Sequence, residues 1–575
     1  MIESKEDYAV HSTASRPEIY RGKSGYLDMS LSNSRIVSLD EKGKAISPTV
    51  SGESLHTFNS KELERGLKSR HVQLIALGGC IGTGLFVGSG SALATCGPAA
   101  LFISYLIMSL VIFFVMNMLG EMTTFLPLPG NGAQAFVNDY VDESFGFAIG
   151  YNYWYAFAML VASEVTAAAI VVQYWNRSIN IAAWITIFLA VIIALNMSSV
   201  KYFGEAEFYF ASLKLIAIVG LIILGIVLFF GGGPTHDRLG FRYWKHDHAF
   251  KEHLTGGDTG KFLAVWTAII KSGFAFICSP ELIATAGGEC QAPRRNIPKA
   301  ANRFIYRLAF FYIFGTLVIG VIVSSNNPHL LSGSSDASAS PFVLGIQNAG
   351  IPVLNHIINA VILTSAASAG NSFLYSASRT LYSMSTRGIA PAIFSKVNKF
   401  GVPYFSVMAS SCFGFLSYLN CSSSSSNVFS WFSNISTISG FISWILVSFA
   451  YLRWRKAIAY NNLQDRVTYK TILQPYGAYY VIIFIGLVTL TNGYAVFFDF
   501  NIGDFLAAYI TFPIVFVLYV GHKIYNFYYR GVRRLLIPIP RIDLFTGLDL
   551  IEEEDRNEPE RIPKNWMEKI WFWIA

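Results

Sequence analysis

Apolar residues in this chain gather into long runs and do not alternate with polar ones. Twelve such runs lie at 72–94, 98–120, 145–172, 182–199, 208–230, 263–284, 304–324, 350–378, 403–420, 428–452, 476–497 and 503–527. An uninterrupted apolar run of about 18 residues or more reads as a helix long enough to cross a bilayer. The pattern therefore predicts an all-α polytopic membrane protein with twelve transmembrane helices over residues 66–528. Residues 1–65 are rich in Ser, Lys, Glu and Asp, which predicts a disordered tail. Because residues 1–70 are polar, no cleavable signal peptide is expected. Residues 529–575 form a second tail.

Two of the runs carry their own interruptions. The first contains Gly78, Gly79, Gly82 and Gly84, and each glycine costs a helix interior about 1 kcal/mol relative to alanine. The sixth contains Pro280, which removes a backbone N–H and blocks the preceding turn. Irregular backbone at membrane depth is tolerated where protein buries it or where it lines a wet cavity. Breaks five runs apart fit two inverted five-helix repeats meeting at a midplane site, with two extra helices. The broken ends would expose N–H groups on one half-helix and C=O groups on the other. Such a pair suits a zwitterion, with its carboxylate on the N–H groups of Ile81–Gly84. The plainer alternatives are close packing through small residues in run one and a simple proline kink in run six.

Charge sets the orientation. Only 14% of residues are charged and 53% are hydrophobic, which excludes an ordinary soluble domain. Arg294, Arg295, Lys299 and Arg303 follow run six, Arg379, Arg387, Lys396 and Lys399 follow run eight, and Arg453, Arg455, Lys456, Arg466 and Lys470 follow run ten. The loops after runs seven, nine and eleven hold no Lys or Arg, so both termini are expected to be cytoplasmic. Two loops run against the pattern: 121–144 has no basic residue, and 231–261 has several on the side assigned to the outside. The net charge of +7 is spread over tails and loops and reads as topology, with no nucleic-acid partner. Arg530, Arg533 and Arg534 are expected to meet anionic membrane lipid. The aromatic end, Trp566 to Trp573, would rest on the membrane interface or dock on the protein.

The candidate chemistry lies within the runs. Glu164, Lys214, Lys271 and Glu281 fall at membrane depth, where a charge costs about 2.5–3.5 kcal/mol on insertion scales. Proton exchange is the role such groups can fill; the alternatives are structural ion pairs or a snorkelling lysine. Run eight carries Thr364, Ser365, Ser368, Asn371 and Ser372, and run ten carries Asn434, Ser436, Thr437 and Ser439. These stripes line a pore or hydrogen-bond helices together. Phe274, Phe276 and Phe441 are candidate apolar walls. No metalloprotease motif, phosphate loop or nucleophile elbow is present, and the six cysteines have no metal or redox spacing, so no enzyme activity and no cofactor is expected.

The stretches Leu77–Gly90, Gly120-Glu121-Met122 and Pro280–Glu289 resemble fungal amino-acid permeases of the amino acid–polyamine–organocation superfamily. So do His236–Trp244, Arg294–Ile297, Asn348-Ala349-Gly350, Trp431–Phe441 and Asp504–Thr511. The resemblance runs from about Leu63 to Asp549. It implies a five-plus-five inverted-repeat, leucine-transporter-like core with helices one and six interrupted. It implies proton symport of amino acids such as proline or related small neutral ones across the plasma membrane, an internal membrane being the alternative. It places the substrate carboxylate on Gly82, Thr83 and Gly84 and the amine near Cys278 and Ser279. It gives Lys214 a part in proton coupling, to which Glu164 is added from its position, and sets Lys271 and Phe274 among substrate-site residues. Glu281, beside the break, joins that set.

Two positions depart from the proline-transporting members: Ala367 replaces a tryptophan in run eight, and Ser279 replaces a glycine at the break. The expected substrate range therefore includes other neutral amino acids and γ-aminobutyrate. An amino-acid sensor that does not transport and a channel are the readings from other classes. The tail lysines Lys5, Lys23, Lys42 and Lys44 are candidate acceptors for ubiquitin-ligase machinery, or simply solvated charges.

Overall fold

The computed structural model describes residues 81–127, 132–176, 178–245, 248–277, 280–281, 284, 293–331, 340–421, 425–557 and 565–566. The N-terminal tail, Gly78 to Cys80, Cys278, Ser279 and Gly287 to Glu289 lie outside them. Among the described residues every regular element is helical. A wide turn, Gly84–Gly88, leads into α1 (Ser89–Cys96). There follow α2 (Pro98–Phe125), α3 (Ala133–Tyr140), α4 (Glu143–Val172), α5 (Ile181–Met197), α6 (Val200–Phe229), α7 (Gly257–Phe276) and α8 (Pro293–Ile322). Then come α9 (Pro341–Asn348), α10 (Leu354–Thr386), α11 (Tyr404–Gly414), α12 (Ser425–Tyr460) and α13 (Tyr476–Leu490). The last are α14 (Ile502–Tyr509), α15 (Thr511–Tyr529) and α16 (Leu548–Asn557).

Each of the twelve apolar runs carries helix. Among the described residues, seven helices are long and apolar enough to cross a membrane unaided, or eight if α14 and α15, bent by 43°, count as one. The remaining runs fall short for visible reasons. The helix Gly84–Cys96 and α5 are short, α7 carries Asp258, Lys261 and Lys271, and α11 gives way to a tighter coil at Phe415–Cys421. Elsewhere helices overrun the apolar sequence. α10 continues to Thr386, α12 to Tyr460, and α8 begins at Pro293, because the backbone ladder does not depend on side-chain polarity.

Local chemistry sets several ends. Asp142 caps α4 by accepting from Ser144 N at 3.0 Å. Asn501 caps α14 through Gly503 N and Asp504 N. Gly97, at φ 88, turns α1 into α2 with Pro98 opening the new helix.

The helices divide into central and peripheral. Of the apolar window of α4, 89% is buried, against 33% for α6 and α13. α4 packs against α10 and α12, and α2 packs against α7 and α8. α6 shows how its sequence sorts these faces. Tyr209, Leu213, Ile216, Val219, Ile223 and Ile226 are exposed, as a lipid-facing stripe would be. Phe203, Glu207, Ala211, Lys214, Ile218, Leu221 and Gly225 recur at helical spacing on the buried side. A Cβ at Gly225 would lie 2.5 Å from Val318 Cγ1, so this glycine lets α6 approach α8 closely.

The chain after α15 returns across the helix ends. Ile537 N donates to Val141 O at 2.9 Å, and Ile537, Ile542, Leu544, Leu548 and Ile551 are buried. Arg466 grips Glu552 with two bonds of 3.0 and 2.7 Å and Asp549 with one of 2.7 Å. Arg295 pairs with Asp555 at 2.9 Å. Nearby, Glu121 at the end of α2 accepts from Thr471 N at 2.7 Å and from Tyr451 Oη at 2.5 Å. Arg530 and Arg534 both pair with Glu143, at 3.1 and 3.9 Å, and Arg530 keeps more than half of its side chain exposed. Trp566 is exposed; the later aromatics lie outside the described residues.

Leu548 anchors α16, and Leu548→Ala is expected to cost about 2–5 kcal/mol of that docking. Limited proteolysis should then cut residues 535–557 faster than in the wild type, with the helical bundle intact. Arg466 holds the Glu552 carboxyl below its ordinary value. The clamp is therefore complete at neutral pH and is lost as pH falls through that lowered value.

Candidate functional site

The breaks meet at the centre of the bundle. Ile81 and Gly82 are not helical, and helix begins at Thr83. A Cβ on Gly82 would sit 2.9 Å from Glu164 Oε1, and one on Gly84 would sit 2.6 Å from Ala275 Cα. The wide turn therefore lies directly against α7, with only hydrogen atoms between the two backbones. α7 stops at Phe276, and Ile277 is extended (ψ 152°) before Pro280 and Glu281, which are again helical.

Side chains hydrogen-bond to backbone carbonyls around these positions, including Gly84 O, which also accepts from Ser89 N. Ser365 Oγ donates to Ile81 O at 2.8 Å. Tyr312 Oη donates to Ala275 O at 2.8 Å, and Tyr105 Oη donates to Gly84 O at 3.4 Å. Thr83 Oγ1 donates to Glu164 Oε1 at 3.0 Å, tying the first break to α4. These bonds answer the requirement that buried backbone polar groups be satisfied internally.

Between the breaks lies a cavity of about 10 Å³ lined by Gly82, Gly84, Leu160, Glu164, Phe274, Ala275, Ile277 and Phe373. That volume holds about one water. A substrate of amino-acid size enters only when the phenylalanines move, so the structure is a closed state. The Phe274 ring meets Phe429 edge-on, with centroids 5.5 Å apart.

Of the residues singled out from sequence, Gly82, Gly84, Glu164 and Phe274 line this cavity, and Thr83 joins it through Glu164. Lys214 does not line the cavity; it is 1% exposed on α6 and acts electrostatically on Glu164. Lys271 is elsewhere: its ammonium donates to Thr95 Oγ1 at 3.1 Å on an exposed face of α7. Glu281 is buried but does not line the cavity; its Oε1 accepts from Trp444 at 2.8 Å and Tyr153 at 3.1 Å. Ala367 is half-buried and also off the cavity. Cys278 and Ser279 lie outside the described residues, next to Ile277. Phe276 packs on Tyr105 and Tyr312, and Phe441 on Trp444, so both serve as core. In the polar stripe of α10, Ser365 and Ser368 hydrogen-bond to other helices, and Asn371 accepts from Asn196 of α5 at 2.8 Å.

Sequence reading missed Glu207, fully buried on α6, whose Oε1 accepts from Ser368 Oγ at 2.6 Å. The apolar run 208–230 begins one residue after it. The signal was available: Glu207 precedes Lys214 by seven residues, which puts both on one helix face.

Long apolar helices around a buried cavity, with α7 ending at Phe276 and helix resuming at Pro280, fit a helical membrane transporter. The fold agrees with the crystal structure of a manganese transporter from Eremococcus coleocola, with a TM-score of 0.50 at 14% identity, covering 80% of this chain and 93% of that one. The chain belongs to the amino acid permease family, whose match spans residues 71–530. It is 56% identical to the proline-specific permease of Emericella nidulans over 89% of this chain and 93% of that protein. It is 58% identical to a probable proline-specific permease of Schizosaccharomyces pombe, covering 86% and 90%. It is 54% identical to the proline-specific permease of Saccharomyces cerevisiae, covering 90% and 83%.

The contact of Gly84 with Ala275 yields a direct test. A methyl forced into it costs about 1–3 kcal/mol, so Gly84→Ala is expected to lower amino-acid uptake by about tenfold or more. Surface biotinylation should show the variant at normal abundance in the membrane.

Proposed function

We propose that this chain is a proton-coupled symporter that imports proline across the plasma membrane, with related small neutral amino acids as weaker substrates. The observation that carries this reading is identity of 54–58% with proline-specific permeases across nearly their whole length. In this reading the twelve apolar helices all cross the membrane, with tails 1–65 and 529–575 in the cytoplasm. The core is two inverted five-helix repeats. The packing of α4 on α10 and of α2 on α8 supports this, because each pair would be repeat equivalents.

The substrate carboxylate sits on the N–H groups around Gly82–Gly84, and the secondary ammonium meets carbonyls at the α7 break near Ile277. The pyrrolidine ring lies between Phe274 and Phe373. Gly82 is in contact range of Glu164, so the substrate's carboxylate and that of Glu164 are neighbours. Two like charges at such range repel strongly in a poorly polarisable interior. A proton taken up by Glu164, beside the Lys214 ammonium, removes the conflict, which makes proton and substrate bind together. One proton with one zwitterion moves one positive charge, worth about 2.3 kcal/mol per 100 mV of inside-negative potential.

Uptake of labelled proline by permease-deleted yeast expressing the chain tests this. The expected result is uptake abolished by an uncoupler and displaced mainly by unlabelled proline. Displacement by many neutral amino acids would instead assign a broad permease, and no uptake despite surface expression would assign a sensor. Lys214→Met is expected to abolish uphill accumulation, and full accumulation by that variant at neutral external pH would defeat proton coupling.

A further inference from the structure

The buried charge does not end at the cavity. Glu207 lies on the inner face of α6, Lys214 lies two turns further along the same face, and Glu164 is buried on α4 within electrostatic reach of Lys214. Lys214 acts electrostatically on both carboxylates. Ser368 donates to Glu207 Oε1, while Oε2 has no hydrogen-bond partner among the described residues. The groups facing Glu207 from α10 are Ser368, Asn371 and Ser372, none of them charged. Where α8 packs on α6 it presents Gly315 to Ile218 and Val318 to Gly225.

The charge count of this cluster decides its chemistry. Among the described residues, the two carboxylates and one ammonium total one negative charge, and an uncompensated charge in a protein interior is costly. One proton brings the cluster to neutrality. Without Glu207, the pair Glu164–Lys214 would be neutral with no proton added.

We propose that Glu207 supplies the unbalanced negative charge that makes uptake of one proton obligatory in each transport cycle, acting from outside the substrate cavity through Lys214. The proposal rests on the symport reading above. Its link to the substrate site is mechanical as well as electrostatic. Ser365 and Ser368, one turn apart on α10, hold the carbonyl of the first break and the Glu207 carboxylate respectively. Glu207 is thus a positioning and charge-balancing residue. A purely structural role, as a tie between α6 and α10, predicts something different on substitution.

The test uses the full-length protein in proteoliposomes with labelled proline. An inward proton gradient of about one pH unit supports about tenfold accumulation at one proton per substrate. Counterflow exchange, measured without a gradient, reports binding and alternation alone. If the wild-type protein exchanges proline but never accumulates it, the symport reading fails and this proposal falls with it. With wild-type accumulation established, Glu207→Gln keeps an acceptor for Ser368 but removes the charge. It is expected to exchange within about threefold of wild type and to accumulate nothing. Glu207→Asp keeps the charge and is expected to accumulate. Glu207→Ala carries the same expectation as Gln and stands in if Gln does not assemble. Accumulation by the neutral variants at the wild-type level overturns the proposal. So does their loss of exchange and accumulation together.

Discussion

The constraint on which the rest of this structure depends is that a backbone N–H or C=O cannot be left bare in hydrocarbon. The non-helical Ile81–Gly82 segment and the end of α7 at Phe276 present such groups, and the bundle is built to receive them. Ser365 reaches Ile81 O from α10, Tyr105 reaches Gly84 O from α2, and Tyr312 reaches Ala275 O from α8. Each of these side chains is fully buried or nearly so, where an unpaired partner would cost most. The helices that surround the site are thereby positioned by the backbone irregularity they satisfy.

The same breaks explain why the site is small and stiff. With Gly84 against Ala275 and Gly82 against Glu164, the wide turn has no lateral freedom. Movement is left to side chains such as Phe274 and to rigid-body shifts of whole helices. At the other end of the bundle, Arg466, Glu552, Asp549, Arg295 and Asp555 tie α16 to the loop after α12 and to the start of α8. Such exposed pairs contribute little singly. The docking of α16 therefore rests on Leu548 and Ile551, and the ion pairs set its register.

Buried charge is the second organising feature. Glu164, Glu207 and Lys214 occupy α4 and α6, adjacent to the broken backbone though not all on the cavity wall. Glu281 is different in kind, held by Trp444 and Tyr153 with one oxygen unpaired among the described residues. Both arrangements keep ionisable groups dry yet close to helix breaks, which is where a transporter can exchange them between two sets of partners.

Run length and composition alone determined that the chain is an all-α membrane protein, because the bilayer demands long apolar helices and little else has that pattern. Proline placement marked the end of α7 before Pro280, since backbone permissiveness is a local property, and after the glycines helix begins at Thr83. The placing of Glu164 and Lys214 in the interior was legible from the cost of exposing them to lipid. Tertiary structure alone decided which of these residues meet. Glu207 joined the charge cluster, whereas Lys271 turned to Thr95 and Glu281 to Trp444. Periodicity names the face a residue occupies but not which helix will cover that face. Partner choice depends on contacts between residues hundreds of positions apart, such as Ser365 with Ile81, 284 positions away.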